Sequence, residues 1–216
     1  MRKILIVLLA GCVVLVVGCH LPGIRGNGHI KTEERPIGAF ANVDAGGMFE
    51  IEWQNGSPAL RITTDENLLP YIENDVSGDT LRLRIREHVF WPTHGIKVAI
   101  SSPTRKGAKI RGAVKLTANK LSGPVFALES QGASEVSLDG EVDRLLVDMT
   151  GASQLVANGL QTKTAEISTT GAGDADIAVS ETLKVSITGA GKVSYSGNPA
   201  TIQKNITGAG SIRHKD

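Results

Sequence analysis

The sequence predicts an all-β protein, a single-stranded parallel β-helix (β-solenoid) with coils of about 19 residues. Three observations carry that expectation. The first is a recurring Gly turn: Arg111-Gly112-Ala113, Gln131-Gly132-Ala133-Ser134, Thr150-Gly151-Ala152-Ser153, Thr170-Gly171-Ala172-Gly173, Thr188-Gly189-Ala190-Gly191 and Thr207-Gly208-Ala209-Gly210. Its first Gly returns after 20, 19, 20, 18 and 19 residues, and a fixed period of this size marks a repeat architecture. The second is period-two alternation between the turns, as in Leu145, Val147, Met149 or Ala175, Ile177, Val179, which means strands with one buried face. The third is composition: 25 Gly but only 4% aromatic residues, suited to narrow stacked coils with little room for rings. At ~3.3 Å per residue, one repeat traces a path of about 60 Å. That is one rung of a solenoid, too short for a propeller blade of ~40 residues.

From the N-terminus, Met1-Arg2-Lys3 is basic, and residues 4–17 are apolar or small without a charge. This is the pattern of a secretory signal, shorter than the ~20 residues of a spanning helix; an uncleaved N-terminal anchor is the alternative. Val16-Val17-Gly18-Cys19 resembles the lipobox of bacterial lipoproteins. Leu9-Ala10-Gly11-Cys12 also fits, but cutting there leaves the apolar residues 13–17 on the mature end. Cys19 is therefore the expected lipidation site, after a signal peptide over residues 1–18. The implied partner is a membrane held through N-terminal acyl chains, each buried CH₂ contributing ~0.8 kcal/mol. Both Cys lie in this segment, so the mature chain has no disulfide and no Cys for zinc or nucleophilic catalysis. Loss of Arg2 and Lys3 leaves 21 basic and 22 acidic residues, a net charge of −1. Residues 19–33 read as a tether, rich in Gly and Pro at its start.

Residues 34–216 read as one β-helix domain, with irregular early coils over 34–105 and regular Gly-Ala turn repeats over 106–216. Six of the eight aromatics lie in the early part. Strands are expected at residues 41–43, 49–53, 60–63, 81–85 and 96–100, separated by Gly46-Gly47, Asn55-Gly56 and Ser77-Gly78-Asp79. The nearest approach to a helical pattern, residues 66–74, is interrupted by Pro70. A separate small β domain is the alternative for this half. The polar tail, residues 212–216, is expected to cover part of the open C-terminal end.

Several pieces of the chain resemble a known family. They are Glu34-Arg35-Pro36-Ile37, Phe40-Ala41-Asn42-Val43, Gly47 before an alternating strand, Asp65-Glu66-Asn67-Leu68-Leu69-Pro70-Tyr71-Ile72, Gly78-Asp79-Thr80-Leu81 and the Gly turns. Together they are similar to the auto-transporter adhesin head domain, the GIN domain, of bacterial envelope proteins, from about residue 34 to the end. The resemblance implies a right-handed parallel β-helix. With the lipobox it implies an exported, palmitate-carrying outer-membrane lipoprotein with an adhesin label.

Catalytic chemistry is little in evidence. No Gly-x-Ser-x-Gly elbow is present. His29, His88, His94 and His214 are scattered, without metal-ligand spacing. Gly189-Ala190-Gly191-Lys192 lacks the spacing of a phosphate loop. Asp174 and Asp176 suggest calcium, but neighbouring turns carry Ser153, Gln154, Lys192 and Ser211, so no acidic ladder forms. Asp174, Asp176 and Lys192 are too few for a polysaccharide-lyase cleft, and Asn55-Gly56-Ser57 and Asn205-Ile206-Thr207 are accidental sequons in a bacterial protein. No catalytic residue, metal or cofactor is expected.

One charge pattern stands out. Residues 88–128 contain no Asp or Glu but seven basic residues: Lys97, Arg105, Lys106, Lys109, Arg111, Lys115 and Lys120. Residues 129–148 then hold Glu129, Glu135, Asp139, Glu141, Asp143 and Asp148 against Arg144 alone. Either adjacent coils pair these charges across rungs, or the basic band faces an anionic envelope polymer. A net charge near zero gives no support to nucleic-acid binding. Two functions remain: a non-enzymatic envelope lipoprotein presenting a rigid β-helix to envelope glycan or a surface protein, and a carbohydrate-active β-helix enzyme.

Overall fold

A computed structural model describes residues 23–86 and 90–215, with Phe90 described by its backbone alone. The signal segment, Cys12, Cys19 and His88 lie outside the described residues. The chain begins with β1 (Ile24–Arg25) and β2 (Ile30–Arg35), and a first coil follows in β3 (Asn42–Gly47) and β4 (Glu50–Asn55). An excursion then runs through β5 (Ala59–Asp65), a 3₁₀ turn (Leu69–Tyr71), β6 (Ile72–Ser77), β7 (Thr80–Ile85), β8 (Phe90–Trp91) and β9 (Lys97–Ser102). Next come β10 (Gly107–Gly112) and four long bent strands: β11 (Lys115–Gly132), β12 (Glu135–Gly151), β13 (Gln154–Gly171) and β14 (Asp174–Gly189). β15 (Lys192–Ser196), β16 (Thr201–Gly208) and β17 (Ser211–His214) finish the chain. The whole is a β-solenoid of about 5 turns.

Parallel register makes each inward side chain sit on its counterpart one coil away. One column runs Leu81, Val43, Ala108, Leu128, Val147, Ile167, Val185, all buried. A second runs Val98, Ile51, Leu116, Val136, Leu155, Ala175, Val193. Each large aliphatic in such a column contributes ~1.5–3 kcal/mol by burial. Three rings pack together: Trp53 stacks on Phe40 with centroids 6.1 Å apart and lies 6.3 Å from Phe126. Its indole N–H donates to Ser102 Oγ at 2.9 Å. Since β3 and β4 pair with β10 and β11, the early coils share one sheet with the regular ones.

The Gly turns stack in the same register, Gly112 on Gly132, Gly151, Gly171 and Gly189. Each Ala amide donates to the Gly carbonyl one rung back, as in Ala152 to Gly132 at 2.8 Å and Ala172 to Gly151 at 2.9 Å. Two residues on, a second bond follows, as in Asp174 N–H to Ser153 O at 2.9 Å. Turn polar groups are thereby satisfied by the next turn rather than by water.

The two ends differ. At the N-terminal end β7 and β9 lie parallel to β3 and β4, but β6, β5 and β2 are added antiparallel. Leu68, Leu69 and Ile72 close the column there. The tether expected to reach residue 33 is shorter than the sequence suggested. Ile24–Arg25 pairs with Phe90–Trp91, and β2 pairs over its whole length with β5. Polar, exposed side chains on β2 hide it as a strand, because its partner needs only its backbone.

At the C-terminal end the last rung is open: Ile202 and Ile206 are 38% and 41% exposed. Residues 211–214 form β17, pairing with β15, so the tail extends the ladder instead of folding across it. Lys204 occupies the position of Val185 in the first column. A charge in an inward position is one way to blunt an edge. Lys204→Val is therefore expected to produce concentration-dependent association in sedimentation velocity. A sedimentation coefficient unchanged from wild type at every concentration would show that the lysine guards nothing.

Candidate functional site

The basic band does not form one surface. Arg105 is only 5% exposed. Its guanidinium donates to Trp53 O at 3.2 Å, Asn119 O at 2.7 Å and Lys120 O, holding the corner where Lys120 has φ 55°. Burial lowers its pKa, and these carbonyl dipoles support the charge. The expectation that Arg105 contacts a polymer is thus corrected: it is an internal brace. Four others pair across rungs: Lys109 with Glu129, Lys115 with Glu135 at 3.3 Å, Arg111 with Asp44 at 3.0 Å, and Lys106 with Asp79 at 3.6 Å. Each exposed pair contributes no more than ~1 kcal/mol, but together they balance the band locally. Lys97 lies beside Glu50 in register, and Lys120 sits at the corner.

The acids and histidines do not converge either. Asp176 pairs with Lys215 at 2.7 Å, and Asp174 lies between Gln154 and Lys192 in register. His94 Nδ1 is 2.9 Å from Thr93 Oγ1, His214 Nε2 is 2.8 Å from Gly197 O, and His29 belongs to the N-terminal lead-in. Among the described residues no three His, Cys, Asp or Glu are grouped to hold a metal.

Two surface features were not foreseen. The first is a groove of about 590 Å³ across β11, β12, β13, β14 and β16, lined by Glu129, Asp148, Glu166, Lys184 and the apolar Leu146. Glu129 and Asp148 are register neighbours. Lys184 approaches Glu166 at 3.4 Å. The acidic run over 129–148 was the available sequence signal, but the alternation alone does not say which acids share a face across coils. Beside the groove runs an exposed row of Thr150, Thr170, Thr188 and Thr207, one per rung.

The second is the N-terminal corner, organised by Asp65. This buried carboxylate accepts from Gly28 N–H at 2.7 Å, Thr93 N–H at 2.8 Å and Thr93 Oγ1 at 2.7 Å. Asn67 accepts from Asn27 N–H at 2.9 Å and donates to Arg25 O at 2.8 Å. Burial works to raise the Asp65 pKa, but the Thr93 and Gly28 hydrogen bonds outweigh it and hold the carboxyl below its usual value. A lowered carboxyl stabilises the fold above its unfolded pKa of ~3.9 and loses that contribution as pH falls through the folded value. Hydrogen-exchange protection of residues 24–30 is therefore expected to collapse below about pH 4. In Asp65→Asn it should already be low at neutral pH. Equal protection in both proteins at neutral pH would count against the latch.

These features stand on a fold that has relatives. A family described as "putative auto-transporter adhesin, head GIN domain" matches residues 39–160 and 127–199. The chain belongs to this family. A comparison with the curated proteins found no match. Among solved structures, a "putative adhesin" of Bacteroides fragilis has a TM-score of 0.73 at 22% identity, covering 89% of this chain and 100% of that one. A "putative lipid binding protein" of Parabacteroides distasonis has a TM-score of 0.56 at 23% identity, covering 90% and 100%. A "putative adhesin" of Parabacteroides merdae has 0.50 at 20% identity, covering 90% and 99%. At these identities the likeness is one of fold, and fold alone does not confer activity.

Proposed function

We propose that this GIN-domain protein is an acyl-anchored component of the bacterial cell envelope that presents its solenoid as a rigid, non-catalytic adhesion or scaffolding surface. The observation that carries the reading is the use of the outward charges. Lys109–Glu129, Lys115–Glu135, Lys163–Asp143 and Lys184–Glu166 tie one rung to the next instead of converging on a substrate. The adhesin description of the family and the lipobox ending at Cys19 add support. Cys19 is the proposed lipidation site. The proposed contact face is the groove and its Thr row, where hydroxyls recur at the ~4.8 Å rung spacing and suit a polymer that also repeats, such as envelope glycan. The basic band is the weaker candidate, since its charges are mostly paired.

A second reading, a carbohydrate-active enzyme, has one observation in its favour: Glu129, Asp148 and Glu166 share the groove. Turnover of an anionic glycan that disappears in Asp148→Asn would support it.

Protease treatment of intact cells carrying a C-terminal tag tests the adhesion reading. The tag should be shaved from wild-type cells, and Cys19→Ala should leave the membrane fraction. A tag protected in intact cells would exclude an adhesin facing outward.

A further inference from the structure

The N-terminal corner carries an exposed aromatic that the solenoid itself does not use. Trp91 is 49% exposed, although the other tryptophan, Trp53, is 1% exposed. Trp91 is the register partner of Arg25 in the parallel β1–β8 pair, so the two side chains stand on the same face. With Gly26, Pro92 and Thr93 they line a shallow depression of about 480 Å³. The backbone beneath is held: Gly26 N–H donates to Trp91 O at 2.9 Å, and Asp65 binds both Gly28 and Thr93. Ile30, 45% exposed, is the register partner of Asp65 and belongs to the same corner.

Chain length says what lies opposite this corner. Four residues lie between Cys19 and Ile24, so the two Cα atoms are no more than ~18 Å apart even when the chain is fully extended. A bilayer's headgroup layer is itself ~5–8 Å deep on each side. With acyl chains on Cys19, the corner cannot leave the membrane surface by more than a short distance. The latch at Asp65 removes the slack that a tether to residue 33 would have given. Trp prefers this depth, where its ring meets the apolar boundary and its N–H stays hydrated. Arg25, exposed beside it, adds a cation that anionic headgroups attract near the surface; no ion pair occupies it among the described residues.

We infer that Trp91 and Arg25 form a membrane-surface contact that seats the N-terminal end of the solenoid on the lipid headgroups and sets its orientation. This rests on the anchoring reading above. The contact is distinct from the anchor: acyl chains hold the protein to the bilayer, whereas Trp91 fixes which face meets it.

The test uses the full acylated chain reconstituted into vesicles of phosphatidylethanolamine and phosphatidylglycerol whose acyl chains are brominated near the headgroup. Emission of wild type minus that of Trp91→Phe isolates Trp91, because Trp53 is buried and common to both. The expected result is that this difference emission is quenched by the bromolipid and shielded from aqueous iodide. Vesicles that carry the protein on flotation, with Trp91 unquenched by bromolipid and open to iodide, overturn the contact and leave the anchor intact. Failure of the wild-type chain to float overturns the anchor, and the contact with it.

Discussion

Gly151→Ala is expected to destabilise the protein by more than ~3 kcal/mol, read as a shift in denaturant midpoint. Gly151 has φ +108°, which costs an L-residue ~1–2 kcal/mol on its own. An added Cβ would also lie 2.5 Å from the carbonyl oxygen of Gly132, a backbone atom already bonded to Ala152 N–H. That oxygen cannot withdraw without opening the turn stack. Two other glycines separate these costs. Gly28, at φ +78° with nothing within 4 Å of a Cβ, should lose only the conformational part. Gly38, with open space and no left-handed φ, should tolerate Ala within ~0.5 kcal/mol. A Gly151 variant no worse than the Gly28 variant would remove close stacking as the reason for the repeat.

Arg105→Ala is the second large effect expected, at about 3–5 kcal/mol. The change strips the carbonyls of Trp53, Asn119 and Lys120 of one shared donor group, and each unpaired buried acceptor costs ~1–3 kcal/mol. It also frees the corner where Lys120 is held at φ 55°. Arg105→Lys should recover only part of the loss, because a single ammonium cannot reproduce the planar fork. If Arg105→Ala unfolds at the wild-type denaturant concentration, the brace is idle.

The regular half of the fold was legible because one physical requirement recurs. Every coil must pass close to the last one at the same corner, so Gly returns at Gly112, Gly132, Gly151, Gly171, Gly189 and Gly208. The inward columns then impose alternation. The N-terminal cap was harder to read. β2 and β6 are antiparallel edge strands whose side chains are mostly polar and only partly covered, Ile72 alone being buried, so they give little apolar alternation to read. The run Asp65-Glu66-Asn67 was visible only as part of a family resemblance. Nothing local shows that Asp65 binds a loop 28 residues away. Arg105 sat among six other cations in sequence, and only the coil geometry turns it inward. Trp91 carried no signal either, since its exposure depends on which face of β8 the solenoid leaves bare.

The proposed anchor is a lipid on Cys19, and the apolar residues 4–17 are proposed to leave with the signal peptide. Among the described residues no helix is long and apolar enough to cross a membrane. The most direct measurement is the intact mass of the full protein purified from membranes. A lipid-anchored protein is expected to begin at Cys19 and to carry the added mass of acyl groups. A chain that begins at Met1, or one that begins at Cys19 with no added mass, would contradict it.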